Sequence, residues 1–275
     1  MAIEKTGVEV DISSSFESPT TFEENGMVDH IDIDGLNQLT EYYVRGYIIE
    51  NGSTTYSDNT LSFNTIYSLP PELQECEFIE SDGNCFIDTG LYLDTHYNLE
   101  AKIYVPQGVS FGLFGGRSDS RTKNFCGIRN SNQYISMQIT NSGTQNQAIV
   151  ETIDNTTVIF KNNGKDFEID DEQGNTLASS QSAQNTTCVQ TCYLFDMNNN
   201  GGGFGMAVDT TKIYYFKQNG VFWLVPCYVK PGETFIDVKG NPCIPGTAGF
   251  IDVLSNHFFT NDGPGDFRVG PDINQ

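Results

Sequence analysis

Apolar and polar positions alternate with a period of two through most of the chain, and no stretch sustains the spacing of roughly 3.6 residues that an amphipathic helix requires. Along residues 42–47, Tyr43, Arg45 and Tyr47 fall on one face and Tyr42, Val44 and Gly46 on the other, as in a half-buried strand. From Ile3 to Thr65 the pattern predicts strands in KTGVEVDIS, MVDHIDID, YYVRGYIIE and TLSFNT. The stretch SSFESPTTFEENG reads as a loop, and Asn51-Gly52-Ser53 as a tight hairpin turn.

Residues 67–73, Tyr-Ser-Leu-Pro-Pro-Glu-Leu, read as a short stiff linker. Each proline fixes its own φ and pushes the preceding residue towards extended conformations, so the modules on either side are expected at a defined angle. From Gln74 onward come about a dozen strand-sized segments separated by Gly, Asn and Asp, which predict a two-sheet jelly roll. CFIDTGLYL, NLEAKIYV, QYISMQI, DFEID, FGMAV and TKIYYFKQ are among them. In this frame Ile79, Phe86 and Ile87 belong to the core, and Asp88-Thr89-Gly90 forms an Asx-type turn. Tyr214 and Phe216 share one strand face with Tyr215 on the other, and Pro226 ends its strand because it cannot donate to a ladder.

Composition supports an all-β fold: Phe (19), Tyr (13) and Gly (27) are plentiful. The length of 275 residues suits two domains. Lys and Arg number 14 against 36 Asp and Glu, a formal net charge of −22. Such a surface repels phosphate backbones, so nucleic-acid binding is not expected. The acidity serves solubility, or else gathers cations. No apolar run approaches the ~20 residues that cross a bilayer, and the start MAIEKTGVEVDIS carries no export signal, so synthesis in the cytoplasm is expected. Seven cysteines (Cys76, Cys85, Cys126, Cys188, Cys192, Cys227, Cys243) form no C-x-x-C pair, and their odd count excludes complete internal pairing. They read as reduced thiols acting as small hydrophobes.

The string GLNQLTEYYVRGYIIENGSTTYSDNTLSFNT, with IEKTGVEVDIS before it, resembles the later strands of the fibronectin type III-like modules of Bacteroidota proteins. The resemblance covers residues 3–65. It implies that Leu36 packs inward and that Tyr42 or Tyr43 is the corner tyrosine tying loop to strand. Because the matched strands begin in the middle of such a module, a partial sandwich is expected over residues 1–66, completed by a partner or by packing within the chain. A second string, FIESDGNCFIDTGLYLDTHYNLEAKI, resembles the opening of concanavalin A-like, laminin G-type domains of phage structural proteins. FGLFGGR, KIYYFKQNGVFWLVPCYV and GFIDVLSNHFFTNDGPGDFRVGP match in order after it. This resemblance covers residues 74–272 and implies a β-sandwich over 74–275, with VKPGETFIDVKGNPCIPGTA as an insertion.

Glu168-Ile169-Asp170-Asp171-Glu172 reproduces the E-x-D-x-E spacing of jelly-roll glucanases. In a continuous strand Glu168, Asp170 and Glu172 would share a face, as nucleophile and acid/base with an aspartate between. The competing reading is a polar strand end entering a hairpin at Gln173-Gly174-Asn175. His30, His96 and His257 are isolated in sequence from one another and from any G-x-S-x-G motif. Asp196-Met-Asn-Asn-Asn-Gly-Gly-Gly203 offers oxygen ligands for a hard cation, or a mobile loop between strands. Tyr92, Tyr97, Tyr134 and Trp223 are the candidate sugar-stacking rings. No catalytic, cofactor-binding or metal residue is assigned.

Together these features resemble a virion protein of gut Bacteroidota phages of the crAss-like group. The implied role is a capsid decoration, head fibre or tail-associated adhesin. It would attach through residues 1–66 to other virion proteins or to its own copies, with a trimer as the suggested oligomer, and display a lectin-like domain to host glycans without membrane insertion. The alternatives are a jelly-roll glycoside hydrolase using Glu168, Asp170 and Glu172, or a bacterial surface glycan-binding protein.

Overall fold

The computed structural model describes residues 2–107, 110–118, 123–130, 134–141, 143–151, 155–205 and 207–273. The fold is all-β, with no helix among these residues. The chain divides into two compact units, residues 1–68 and 69–275. The division falls within the proline segment. Leu73 already lies in the second unit's sheet, buried and paired with Val229.

In the first unit, β1 (Lys5–Asp11), β2 (Thr20–Asn25), β3 (Glu41–Glu50), β4 (Ser53–Tyr56) and β5 (Leu61–Asn64) form one antiparallel sheet. Its order is β2-β1-β3, with β4 and β5 both on the far edge of β3. Register puts Thr6, Val8 and Val10 on one face with Ile48, Gly46 and Val44. The opposite face is polar: Arg45 pairs with Glu9 at 2.6 Å, and its guanidinium lies 4.2 Å from the ring centroids of both Phe16 and Tyr56. The Tyr42 hydroxyl accepts the Asn37 backbone N–H at 3.0 Å, so Tyr42 is the residue that ties the preceding loop to the strand. Leu36 is half-buried.

Two sequence expectations fail in this unit. Thr20–Asn25 is the strand β2 rather than loop, because pairing of Phe22 with Val8 satisfies the outer edge of β1 and brings Phe22 to the apolar face. MVDHIDID is not a strand. Val28 and Ile31 from that stretch instead border a groove of about 490 Å3 with Thr6, Val8 and Ile48 of the apolar face. Tertiary packing outweighs the alternation there.

The second unit opens with the short strands β6 (Leu73–Glu75), β7 (Ile79–Glu80) and β8 (Ile87–Asp88). A run of long strands follows: β9 (Leu99–Val105), β10 (Phe111–Arg117), β11 (Lys123–Asn130), β12 (Tyr134–Asn141), β13 (Thr144–Glu151), β14 (Thr156–Asn163), β15 (Asp166–Asp170) and β16 (Thr176–Gln181). After the two-residue strands β17 (Tyr193–Leu194), β18 (Asn198–Asn199) and β19 (Gly202–Gly203) come β20 (Lys212–Gln218) and β21 (Phe222–Val229). The hairpin β22 (Phe235–Ile236)/β23 (Pro242–Cys243) occupies the expected insertion, and β24 (Ala248–Asp252), β25 (His257–Thr260) and β26 (Arg268–Val269) close the chain.

These strands make two main sheets. One is ordered β13-β12-β11-β10-β17-β8, the other β16-β15-β14-β9-β20-β21-β24-β25, and we term them the front and back sheets. Their inner faces supply a continuous apolar core. Phe114 of the front sheet meets Phe160 and Phe216 of the back sheet edge-on, each at 5.2 Å between ring centroids. Gly127 leaves room for the Phe114 ring, since a Cβ there would sit 2.3 Å from it. The ends of the domain are tied together: Asp262 accepts the Asp88 N–H at 2.8 Å and Asn261 the Phe86 N–H at 3.2 Å. Gly90 N–H donates to Asp88 Oδ1 at 3.0 Å, completing the expected Asx turn.

Other expectations for this unit are corrected. Ile79 and Ile87 are core residues, whereas Phe86 is half-buried and stacks on Tyr193. CFIDTGLYL forms only the two-residue β8, its backbone groups otherwise bonding across to Cys188, Cys192 and Asp262 instead of one ladder. In FGMAV, Met206 lies outside the described residues and the rest is not strand. Register shifts between Ile213 and Tyr215, so Ile213 and Phe216 both face the core while Tyr214 packs edge-on against Phe78 with Lys102 over its ring. Pro226 does not end its strand. It sits inside β21, where the neighbouring strand changes from β20 at Leu224 to β6 at Cys227, so its missing N–H falls in a gap in the ladder.

Candidate functional site

The outer face of the front sheet carries the clearest candidate. Along β12, Ile135, Met137 and Ile139 point into the core, so Tyr134, Ser136, Gln138 and Thr140 point outward. Register sets Gln147 of β13 beside Gln138, Gln145 beside Thr140, and Asn124 of β11 on the other side of Thr140. The resulting groove, of about 370 Å3, is lined by amides from Asn124, Asn130, Gln138, Gln145 and Gln147, with Arg117, Ile128, Tyr134 and Phe204.

The groove is held in place by its own bonds. Gln145 Nε2 donates to Gln138 Oε1 at 2.8 Å, and Gln138 Nε2 to Ser136 Oγ at 3.1 Å. Asn130 Nδ2 donates to the Tyr134 hydroxyl at 2.7 Å, fixing the ring at one end. At the other end Arg117 lies 5.4 Å from the Phe204 ring centroid and donates from Nε to Asn199. Met197 packs on Cys126 and Ile128, so the β17–β19 segment forms one wall. Two rings at the rim and a floor of amides match what the apolar faces and hydroxyl edges of a saccharide require.

That segment also holds the oxygen-rich string of residues 196–203. Asp196 Oδ1 accepts the backbone N–H groups of Met197, Phe204 and Gly205 at 2.6, 3.1 and 3.0 Å, while burial raises its pKa. Asn198 bonds Thr191 and the Gly201 N–H. The oxygen-rich string is thus a closed hairpin whose side chains bond its own backbone and the neighbouring Arg117, Gln190 and Thr191 side chains, rather than a mobile loop. No group of three or more His, Cys, Asp or Glu fit to hold a metal occurs among the described residues.

Glu168, Asp170 and Glu172 lie on the back sheet. β15 ends at Asp170 after a register shift at Ile169, and Glu172 falls in the turn to β16, where it meets Lys102 at 3.0 Å. The three carboxylates therefore do not line one strand face. Asp170 is buried and bonded to Lys161 at 2.6 Å, which raises the Lys161 pKa. Asp171 closes the turn by accepting from Asn175, whose amide, with the backbone N–H groups of the turn, holds its carboxyl below the usual range. This is the hairpin reading of the string.

The three histidines stay apart, His30 against Asp29, His96 against Asp94, and His257 opposite Asp252. Of the candidate stacking rings, Tyr134 lies in the front groove and Trp223 on the back sheet, while Tyr92 and Tyr97 are exposed outside the front groove. All seven cysteines are buried and free; burial pushes the Cys85 thiol up to about 11 and Cys76 and Cys126 to about 12. Sequence reading missed Phe204, Arg117 and the amides. Of the amides only Gln138 stands on the polar side of QYISMQI, after Tyr134 and Ser136, and its meeting with Gln145 and Gln147 depends on register. No protein-family model matches the chain, and no curated protein matches it.

Proposed function

We propose that the chain is a non-enzymatic display protein whose second unit binds glycan in the front groove. The observation that carries this reading is the preorganised amide floor bounded by Tyr134 and Phe204. Planar amides present paired donors and acceptors to vicinal hydroxyls, and the rings take the apolar faces of sugars. The described lining holds Arg117 and no carboxylate. It thus suits neutral or acidic sugars and offers no carboxylate pair for glycoside hydrolysis.

The resemblance of residues 74–272 to laminin G-type domains of phage structural proteins supports a place on a virion, as capsid decoration, head fibre or tail-associated adhesin. The first unit is the attachment and oligomerisation module in this reading. Its bare apolar groove beside Val8 and Ile48 supports docking to a virion protein or a second copy. A shallow groove binds one sugar weakly, and arrayed copies supply avidity. The test is a glycan array probed with the full-length chain, clustered on beads, beside a Tyr134→Ala/Gln138→Ala double variant. Selective binding by the former and loss in the latter is expected; equal signals from both would overturn the assignment of the groove.

A further inference from the structure

The outer face of the back sheet holds a larger groove, of about 740 Å3, that the front-groove reading does not use. Its floor follows from register. Lys217, Glu100, Lys161, Glu168 and Ser179 stand side by side on five successive strands, and Trp223 continues the row onto β21. A parallel row, two residues along, contains Asn163, Asp166 and Gln181, extended by Asn98 and Asn219.

Charge in this groove does not cancel. Lys161 is taken by Asp170 at 2.6 Å and Lys217 by Glu100 at 3.5 Å, Glu100 also accepting from Tyr215 at 2.6 Å. Asp166 accepts the Gln181 amide at 2.6 Å, and the partly exposed Glu168 carboxylate has no side-chain partner among the described residues. Lys161 also stands across the ladder from Glu168, so four carboxylates, Glu100, Asp166, Glu168 and Asp170, face two lysines and the groove is net negative beside its amide row. Lys217 sits over both Tyr215 and Trp223, 5.5 and 5.2 Å from their ring centroids, and closes one end with aromatic surface.

We propose that this groove is a second saccharide site, taking a linear oligosaccharide that bears protonated amines, with Glu168 as the ammonium anchor. Four strand spacings of about 4.8 Å separate Lys217 from Ser179, the span of a short oligosaccharide lying across the strands. The ammonium forms a charge-assisted hydrogen bond to Glu168, the amide row takes ring hydroxyls, and Trp223 takes a sugar face at the end. An anionic glycan is repelled by the same carboxylates, so the two grooves select opposite charge.

Trp223, the chain's single tryptophan, borders this groove through Lys217, which sits over its ring, and is not part of the front-groove lining. The experiment is a titration of the full-length chain with glucosamine tetramer below neutral pH, followed by Trp223 fluorescence. A saturable change is expected, with affinity at least about tenfold weaker for Glu168→Gln and for the N-acetylated tetramer, a difference of about 1.4 kcal/mol. The Tyr134→Ala/Gln138→Ala variant should retain the change in full, which separates this site from the front groove. No saturable change, undiminished binding by Glu168→Gln, or loss in the front-groove variant would each overturn it.

Discussion

Gln145 and Gln138, on adjacent strands of the front sheet, are joined amide to amide at 2.8 Å, and Gln138 passes its own N–H to Ser136. This chain orients the Gln138 side chain before any ligand arrives. Replacing Gln138 by Ala should weaken glycan binding by about 1 kcal/mol or slightly more, roughly five- to tenfold, and lower the melting temperature by a few degrees because the buried Ser136 hydroxyl loses its partner. Calorimetric titration and thermal melts of the same variant check both halves.

Lys161 and Asp170 give a pH-dependent contribution to stability. The bond raises the Lys161 pKa in the folded chain, so the stabilisation is fully present below the unfolded lysine value and is lost as pH rises through the higher folded value. Lys161→Met leaves the buried Asp170 carboxylate without its cation and should cost about 3 kcal/mol at neutral pH. Denaturant unfolding should show the gap between wild type and variant narrowing only in strongly alkaline buffer.

Gly127 packs directly against the Phe114 ring in the core. Gly127→Ala would drive a methyl into the Phe114 ring and, by shifting it, disturb Phe160 and Phe216, so a loss of about 1–3 kcal/mol is expected. Chemical denaturation of the variant measures it.

The cysteines should be silent in the folded chain. Buried thiols whose pKa is raised hold little thiolate, so a disulfide-exchange reagent should react slowly with native protein and release seven equivalents once it is denatured. Rapid native labelling would show that a thiol is reachable.

The fold was legible where alternation and packing agree. Ile79, Ile87 and the Asx turn at Asp88 follow from local pattern, and Tyr42 takes the loop-tying role that the resemblance left between it and Tyr43. Legibility ended where register decides. Tyr214 leaves the core because of one extra residue in β20, and Pro226 is tolerated because two neighbouring strands hand over beside it. Thr20–Asn25, almost wholly exposed, becomes a strand because β1 offers it an edge. The sites suffered most, since no linear string announces that Asn124, Thr140 and Gln145 are neighbours.

The most direct measurement is isothermal titration of the full-length chain with the strongest array ligand, for wild type and Tyr134→Ala. The account predicts saturable, weak binding by the wild type and at least about a tenfold loss when the ring is removed, with the fold intact by circular dichroism. Unchanged affinity in Tyr134→Ala would contradict it.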